Sequence, residues 1–208
     1  MIIVHHLNES RSQRILWLLE ELGAPYEIVK YQRNTETRLA PPELTAVHPL
    51  GKSPVIEDGS VKIAESGAIV EYLCEHYGQG TLARRPSDAD WPAYIEWMQY
   101  AEGSAMLPLM LLMYVGRLGE AAGPLLPRIN SEIENHIGYV DRSLAGKDYI
   151  LGDRFSGADV MLSFVGEVVR AFGRQGAYPT LNAYIDRLHA RPAWVRALST
   201  GGAYAMGR

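Results

Sequence analysis

The sequence predicts an α/β N-terminal domain followed by an all-helical domain, and three observations carry that prediction. Residues 1–80 alternate short apolar runs with amphipathic stretches, as strands that alternate with helices do. Residues 78–87 are poor in apolar residues and rich in glycine and arginine, which is typical of a linker. After residue 87 every strong hydrophobic period is helical. The length of 208 residues is about 1.4 times that of a typical domain, and the shift in composition predicts two domains, at 1–80 and 88–208.

A strand, a helix and a second strand open the first domain. Residues 1–4 and 26–30 are rich in Ile, Val and Tyr, which favours strands. Between them, apolar residues recur at the three- and four-residue spacing of one helix face: Ile15, Leu16, Leu18, Leu19 and Leu22. Gly23 follows where such a helix would end. This order predicts a βαβ unit.

A β-hairpin and a helix are predicted after a proline-containing loop. Residues 54–57 and 61–64 are β-prone runs that flank Asp58-Gly59, and Asp-Gly between two such runs is a strong hairpin signal. An amphipathic helix follows over residues 66–77. The predicted order of the first domain is therefore β-α-β, loop, β-β-α.

The second domain is predicted to be helical from its longest hydrophobic period. Apolar residues recur there with gaps of 3, 4, 4, 3 and 4, at Leu126, Ile129, Ile133, Ile137, Val140 and Leu144. Such a stripe is the buried face of an amphipathic helix. A β-rich run of comparable quality is absent from the sequence after Ser87.

Composition and charge exclude several classes of function. With 20 Lys and Arg against 24 Asp and Glu, the net charge is −4, and we expect no nucleic-acid partner. The single cysteine, Cys74, rules out an internal disulfide framework. His5 and His6 face opposite sides of a strand and cannot share a metal ion, so we expect no metal site.

The longest uncharged stretch, 14 residues over 103–116, is shorter than the roughly 18 residues of a membrane span. We therefore expect no membrane partner and, without signal-peptide features, a cytoplasmic protein.

Two serines lie where a helix N-terminus could bind an anion. Ser10 and Gln13 have the spacing of a capping box ahead of the first helix, and Ser66 is a natural N-cap after the hairpin. A helix N-terminus carries unpaired N–H groups and a partial positive charge. Each serine is therefore either a structural cap or a cap that also donates to a bound anion. Glu65, directly before Ser66, is either a solvated turn residue or a partner for a cation.

Pro54 opens the first strand of the hairpin, directly after Ser53. A cis peptide bond there would turn the backbone of Ser53 outward and leave it free to pair with a ligand. The alternative is an ordinary trans proline at a strand edge.

Three methionines share one face of the first helix after the linker. Met106, Met110 and Met113 follow gaps of 4 and 3. Their soft, adaptable side chains suit either core packing or a promiscuous hydrophobic site.

Four segments together resemble the cytosolic glutathione S-transferase family over the whole chain. They are SRSQR at 10–14, HPLGKSP at 48–54, AESGAIVEYL at 64–73 and FSGADVML at 155–162. The first is similar to the SRS-x-R segment of a bacterial, serine-type subgroup. The resemblance implies a thioredoxin-like βαβ-ββα domain that binds glutathione, an all-helical bundle domain, and a cytoplasmic homodimer that acts in detoxification.

The resemblance also implies how glutathione is held as co-substrate. Ser53, before a cis Pro54, would pair its backbone with the cysteinyl backbone of the peptide. Glu65 would hold the ammonium group of the γ-glutamyl end, while Ser66 and its helix N-terminus hold the carboxylate. Lys52 would contact the backbone or a carboxylate of the peptide.

The residue that activates the thiol is implied to be a serine. Family members that use a tyrosine carry it near the end of the first strand, where residues 5–7 are His, His and Leu. Those that use a cysteine carry it at the helix entrance, where this sequence has none. Ser10 is the first candidate to hydrogen-bond the thiolate, with Ser12 second and Asn8 also within reach. The reactive sulfur then belongs to glutathione, and no general base is required.

The second domain is implied to supply the hydrophobic acceptor site. Its candidates lie on the first long helix after the linker: Met106, Met110, Met113 and Tyr114. Tyr204 either closes over the site or lies in a frayed tail. The implied reaction conjugates the thiolate to a hydrophobic electrophile. Glutathione-dependent reduction of peroxides or disulfides, an isomerisation assisted by Arg11 and Arg117, and a non-catalytic binding or regulatory role are the alternatives.

Overall fold

The computed structural model describes residues 1–206 and divides the chain into two compact units. The first unit comprises Met1–Ala83 and Leu188–Ala205, and the second comprises Arg84–Arg187. The boundary lies inside the predicted linker. The predicted second domain, 88–208, differs at its end, because the last helix of the chain packs on the first helix and so joins the first unit. The final two residues of that predicted domain lie outside the described part of the chain.

A four-stranded sheet organises the first unit, in the order β2-β1-β3-β4. The strands are β1 (Ile2–Leu7), β2 (Tyr26–Tyr31), β3 (Val55–Asp58) and β4 (Val61–Ala64). β1 is parallel to β2 and antiparallel to β3, and a parallel pair requires a crossover connection, which the first helix provides. The predicted βαβ unit and the Asp58-Gly59 hairpin are both confirmed.

Nine α-helices complete the described residues. In chain order they are α1 (Ser12–Leu22), α2 (Glu43–Val47), α3 (Ser66–His76), α4 (Trp91–Tyr100), α5 (Met106–Val115), α6 (Leu126–Ser143), α7 (Gly157–Ala171), α8 (Pro179–His189) and α9 (Pro192–Gly201). A π-helical turn, Ala101–Ala105, joins α4 to α5, and 3-10 turns occupy Gly116–Ala122 and Gln175–Ala177. Helix α2 is short and lies in the stretch predicted as a loop.

Helix α9 is held against α1 by aromatic and ionic contacts. The rings of Trp17 and Trp194 meet edge to face at 5.3 Å. Arg191 Nε donates to Glu21 Oε1 at 2.6 Å, and Arg196 Nε donates to Glu20 Oε2 at 2.7 Å. The C-terminal segment is therefore a structural part of the first, α/β unit and not of the helical one.

The second unit is all-helical, as predicted. Of the predicted stripe on α6, every member after Leu126 is buried: Ile129, Ile133, Ile137, Val140 and Leu144. Helix α7 begins with a capping box in which Asp159 Oδ2 accepts hydrogen bonds from the backbone N–H of Ser156 at 2.8 Å and from its hydroxyl at 3.0 Å. This box lies in the FSGADVML segment, where its role is to satisfy the N-terminus of α7.

One helical stretch is long and apolar enough to cross a membrane, judged by length and composition alone. It runs over Trp91–Ala122 and its most apolar window has a mean hydropathy of 1.3. Core helices of soluble proteins meet the same criteria, and a π-helical turn divides this one. The expectation of no membrane partner therefore stays a prediction.

Candidate active site

The strand register brings three segments to one end of the sheet. His5 pairs with Val55, and Val55 pairs with Ala64. The residues after β1, before β3 and after β4 therefore follow at the same edge, since antiparallel neighbours place the end of one strand beside the start of the next. These are the segments that carry the predicted glutathione-binding residues, and all of them belong to the first unit.

The capping box predicted for Ser10 and Gln13 is wrong. Helix α1 begins at Ser12, one residue later than the box requires, and Arg11 occupies the N-cap position, where its side chain forms no cap to the helix N–H groups. Ser10 Oγ does accept from the backbone N–H of Ser12, at 3.2 Å. Gln13 turns into the protein, where neither polar atom of its buried amide has a hydrogen-bond partner within residues 1–206. Because the Gln13 amide is packed inside the protein, it does not cap α1.

Both serine hydroxyls at the start of α1 are directed inward. Ser10 Oγ donates to Leu7 O at 2.7 Å and lies 2.8 Å from Ser12 Oγ. Ser12 Oγ also accepts from the Leu7 backbone N–H at 3.2 Å and lies 2.8 Å from His6 Nδ1. Ser12 has no exposed surface, and Ser10 is 4% exposed. Of the two, only Ser10 reaches the surface of this unit.

Asn8 is the third candidate, and its side chain is half-buried. Its Oδ1 accepts from the Arg33 backbone N–H at 2.8 Å, which orients the amide. The amide nitrogen has no hydrogen-bond partner in the described part of the chain. Asn8 therefore presents an unused donor next to the two serines.

From the sequence, His6 was considered only as a metal ligand, but the structure places it in this hydrogen-bond network. Its ring is 3% exposed, and burial, together with the positive charge of Lys30, lowers the pKa of His6 to about 4. The imidazole is therefore neutral at physiological pH. A buried histidine on the strand just before a serine-rich helix start was the available signal. Groups of three or more metal-ligating side chains are absent from the described residues.

The predicted cis bond between Ser53 and Pro54 is confirmed. Ser53 Oγ donates to His5 O at 2.7 Å and accepts from the Leu7 backbone N–H at 3.2 Å, which ties this loop to the end of β1. Neither the backbone N–H nor the C=O of Ser53 has a partner elsewhere in residues 1–206. An extended peptide can pair with these two groups as an added strand does. Lys52, directly before Ser53, is exposed.

The start of α3 is open. Ser66 is the first helical residue, and Glu65, with φ +70°, occupies the N-cap position that the sequence predicted for Ser66. The first backbone hydrogen bond of α3 runs from Ile69 N to Glu65 O, so the three preceding N–H groups have no intrahelical acceptor. Although Ser66 is buried as a residue, its hydroxyl is reachable and lacks a partner among the described residues. The exposed Glu65 carboxylate lies beside it.

The acceptor candidates do not form one exposed stripe. Met106 is 1% exposed and packs in the core of the second unit, which is the packing alternative for this residue. Met110 is half-buried, while Met113 and Tyr114 are exposed. Tyr204 is buried in the first unit, where its ring meets Trp194 edge to face at 6.1 Å, and it is not part of a frayed tail.

Comparisons with known proteins agree with the two-domain fold. The glutathione S-transferase N-terminal domain family matches residues 1–75, and the glutathione S-transferase C-terminal domain family matches residues 123–187. Glutathione S-transferase 3 of Schizosaccharomyces pombe is 34% identical over 93% of this chain and 85% of its own length. Glutathione S-transferase 1 of Saccharomyces cerevisiae is 32% identical over 100% of this chain and 97% of its own length.

Two solved structures give the same result in three dimensions. The glutathione S-transferase of Actinobacillus pleuropneumoniae superposes with a TM-score of 0.90 at 32% identity, covering 100% of this chain and 96% of that one. A glutathione transferase family member from Pseudomonas fluorescens, solved with two glutathione molecules bound, has a TM-score of 0.79 at 26% identity, covering 95% and 92%. The matched domains, the thioredoxin-like first unit and its open edge together show that this chain belongs to the glutathione S-transferase family.

Proposed function

We propose that this glutathione transferase holds glutathione at the open edge of its first unit and activates the thiol as a thiolate for attack on hydrophobic electrophiles. The open start of α3 carries the proposal. The reachable hydroxyl of Ser66 and three backbone N–H groups there have no acceptor within the described chain. Unpaired polar groups of this kind are costly unless a ligand satisfies them, and a helix N-terminus favours an anion.

The γ-glutamyl end of glutathione has both charges that this edge requires. Its α-carboxylate binds the N–H groups of α3 and the hydroxyl of Ser66, and its ammonium group binds the carboxylate of Glu65. The cysteinyl backbone then pairs with the free N–H and C=O of Ser53, next to cis Pro54. Lys52, exposed beside them, contacts the peptide's backbone or a carboxylate.

The thiolate lies at the start of α1, where Asn8 and Ser10 supply its donors. The Asn8 amide nitrogen is free to donate, whereas the Ser10 hydroxyl must turn away from Leu7 O. Ser12, with no exposed surface, acts on the thiolate only through Ser10. The SRSQR segment, which is similar to the bacterial serine-type subgroup, supports serine-type activation.

The required stabilisation is within reach of these groups. A free thiol has a pKa of about 8.5, and lowering it by about 2 corresponds to about 2.7 kcal/mol. A helix N-terminus supplies up to about 2 kcal/mol, and one hydrogen bond to a charged group supplies about 1.5–3 kcal/mol. A separate general base is not needed.

Titration of the bound thiol tests this proposal. The ultraviolet absorbance of the thiolate is followed against pH with glutathione bound to the wild type, Asn8→Ala, Ser10→Ala and, as a matched control, Ser60→Ala in the exposed hairpin turn. We expect the pKa of the bound thiol to be about 2 lower than in solution for the wild type and the control, and to rise in the other two variants. An unshifted pKa in the wild type would overturn thiolate activation. Assays with an aryl halide, a peroxide and a disulfide separate conjugation from the reductive alternatives.

The same proposal includes a cytoplasmic homodimer. Four apolar side chains with gaps of 4, 3 and 4 are exposed along α5 and its 3-10 continuation: Leu107, Leu111, Tyr114 and Leu118. Exposed apolar stripes of this kind mark interaction surfaces, and a second copy of the chain is the proposed cover. Sedimentation of the wild type and of Leu107→Glu/Leu111→Glu tests it. We expect a dimer for the wild type and a monomer for the variant, and a monomeric wild type would contradict this part. Fractionation of cells tests the proposed cytoplasmic location.

A further inference from the structure

The C-terminal segment contacts the end of β1 and the loop between β1 and α1, at one point each. The backbone N–H of Ala205 donates to Glu9 Oε1 at 2.8 Å. Glu9 itself adopts a left-handed conformation, with φ +49°. Gly201, the last residue of α9, forms a backbone hydrogen bond with the ring of His6. Residues from the end of the chain are therefore built into the loop between β1 and α1.

His6 links this segment to the serine hydroxyls through both ring nitrogens. Nδ1 lies 2.8 Å from Ser12 Oγ, so the bond to Gly201 uses Nε2. Because a backbone contact that favours the protonated ring requires a ring N–H facing a carbonyl oxygen, we assign Nε2–H as the donor to Gly201 O. In the neutral ring Nδ1 then accepts the proton of the Ser12 hydroxyl. Ser12 Oγ is thereby left as an acceptor for the Leu7 backbone N–H, and its proton is not available to Ser10, whose own proton goes to Leu7 O.

The contact at Gly201 has little freedom. A Cβ atom added there would lie 2.6 Å from Gln13 Oε1 and 3.0 Å from Leu16 Cδ1. Because Gln13 and Leu16 belong to α1, the end of α9 touches α1 and His6 at once. The ion pair of Arg191 with Glu21, at 2.6 Å, anchors the other end of α9. The end of α9 is thus packed against the start of α1 at Gly201 and held to α1 at Arg191.

We propose that His6 is a positioning residue, which couples the end of α9 to Ser12 and Ser10 and so sets the orientation of the donors that meet the thiolate. This inference rests on the proposed function, because it concerns the same thiol site. His6 does not touch the ligand in this arrangement, since it is buried behind Ser12. Its role is to fix which hydroxyl donates and which accepts.

Three single variants each remove or displace one of the two hydrogen bonds of the His6 ring. His6→Asn retains an acceptor near the position of Nδ1 and loses the link to Gly201, whereas His6→Gln retains a donor near Nε2 and loses the acceptor for Ser12. Gly201→Ala leaves the ring intact and displaces its anchor. The matched control is His5→Asn, because His5 faces the other side of the sheet, where it bonds Tyr31 at 2.9 Å and Glu57 at 3.3 Å.

The readouts are the pKa of bound glutathione, KM for glutathione, and kcat with an aryl halide. We expect all three variants to raise the pKa of the bound thiol by about 0.5–1, a three- to tenfold loss of thiolate at a pH well below it, with a matching fall in kcat. KM for glutathione should change less than twofold, and His5→Asn should behave as the wild type. Unchanged pKa values in variants of a wild type that does lower the thiol pKa would overturn the positioning role alone. An unshifted thiol in the wild type would instead overturn the proposed function.

Nitrogen NMR of the histidine rings tests the same inference in the unmodified protein, should a variant fail to fold. We expect His6 in the Nε2–H tautomer, with an Nδ1 resonance that moves when glutathione binds. The Nδ1–H tautomer, or a ring that does not respond to glutathione, would overturn the coupling.

Discussion

The sequence Ser-Gly-Ala stands at the start of both α7 and α3, with the serine at the N-cap of α7 and at the first helical position of α3, and the two N-termini are satisfied in opposite ways. The second unit has Ser156-Gly157-Ala158-Asp159, and the first has Ser66-Gly67-Ala68-Ile69. In α7 the fourth residue is a carboxylate that folds back onto Ser156. In α3 the fourth residue is a buried isoleucine, whose backbone N–H bonds Glu65 instead.

This difference shows how a structural helix start becomes a binding site. A helix N-terminus needs an anion or an acceptor wherever it is buried. Asp159 supplies that anion from within the chain, so the start of α7 is complete without a ligand. The start of α3 carries the same serine and lacks the carboxylate, so the carboxylate must come from a ligand. The start of α1 is a third case, because a neutral imidazole and two hydroxyls satisfy one another there.

Removal of the internal anion should have the largest effect. In Asp159→Ala the backbone N–H of Ile150, the Tyr184 hydroxyl and two groups of Ser156 lose their acceptor. We expect the free energy of unfolding to fall by about 3–5 kcal/mol, since each buried unsatisfied donor costs about 1–3 kcal/mol. Urea denaturation measures it, with exposed Asp153→Ala as control. A loss below about 1 kcal/mol would show that α7 does not depend on its own carboxylate.

The stability of the protein should fall in acid, because the buried imidazole of His6 beside the start of α1 is neutral in the folded state. Because the pKa of His6 is about 4 in the folded protein and about 6.5 in an unfolded chain, the unfolded state takes up the proton first. Stability is therefore greatest above pH 6.5 and falls as the pH drops toward 4. We expect the wild type to lose about 2–3 kcal/mol between pH 7 and 4.5 through this residue, and His6→Asn to lose correspondingly less. Equal losses in both proteins would contradict a neutral, buried His6.

Local patterns predicted the parts of the fold and site that depend on neighbouring residues. The hairpin at Asp58-Gly59 and the end of α1 at Gly23 follow from short-range backbone preferences, whereas the cis bond before Pro54 was implied by the family resemblance. The register of that hairpin then places Ser53 and Glu65 at one edge of the sheet.

The errors arose where a distant segment decides the local structure. Gln13 was expected to cap α1, yet it is buried beside Gly201, which lies far along the chain. Met106 shares a helix face with Met113 in the sequence pattern, but only packing by other helices determines which of them is covered. The roles of Asn8 and His6 likewise depend on contacts with residues 33 and 201, which spacing along the chain does not reveal.

Removal of the Glu65 charge, which binds the ammonium group of glutathione, should have the next largest effect. Glu65→Gln keeps the size of the side chain and removes its charge, so we expect glutathione to bind about 10- to 100-fold more weakly, the equivalent of about 1.5–3 kcal/mol. Calorimetric titration measures the Kd, and Glu71→Gln, an exposed residue on the same helix, is the control. An analogue of glutathione without the α-amino group should bind both proteins equally. A preference of Glu65→Gln for intact glutathione would place the ammonium group elsewhere.

The sharpest form of the comparison is a matched pair of alanine substitutions at the two serines. Ser156→Ala removes a hydroxyl that donates to Asp159, so it should lower the free energy of unfolding by about 0.5–2 kcal/mol. Ser66→Ala removes a hydroxyl with no partner among the described residues, so unfolding should change by less than about 0.5 kcal/mol. The Ser66→Ala substitution should instead weaken glutathione binding about three- to tenfold, which corresponds to one hydrogen bond of about 0.5–1.5 kcal/mol. Opposite rankings, in which Ser156→Ala loses more stability and Ser66→Ala loses more affinity for glutathione, would show that the missing partner of Ser66 is the ligand. The same variant would rank first in both measurements only if α3, like α7, satisfied its own N-terminus.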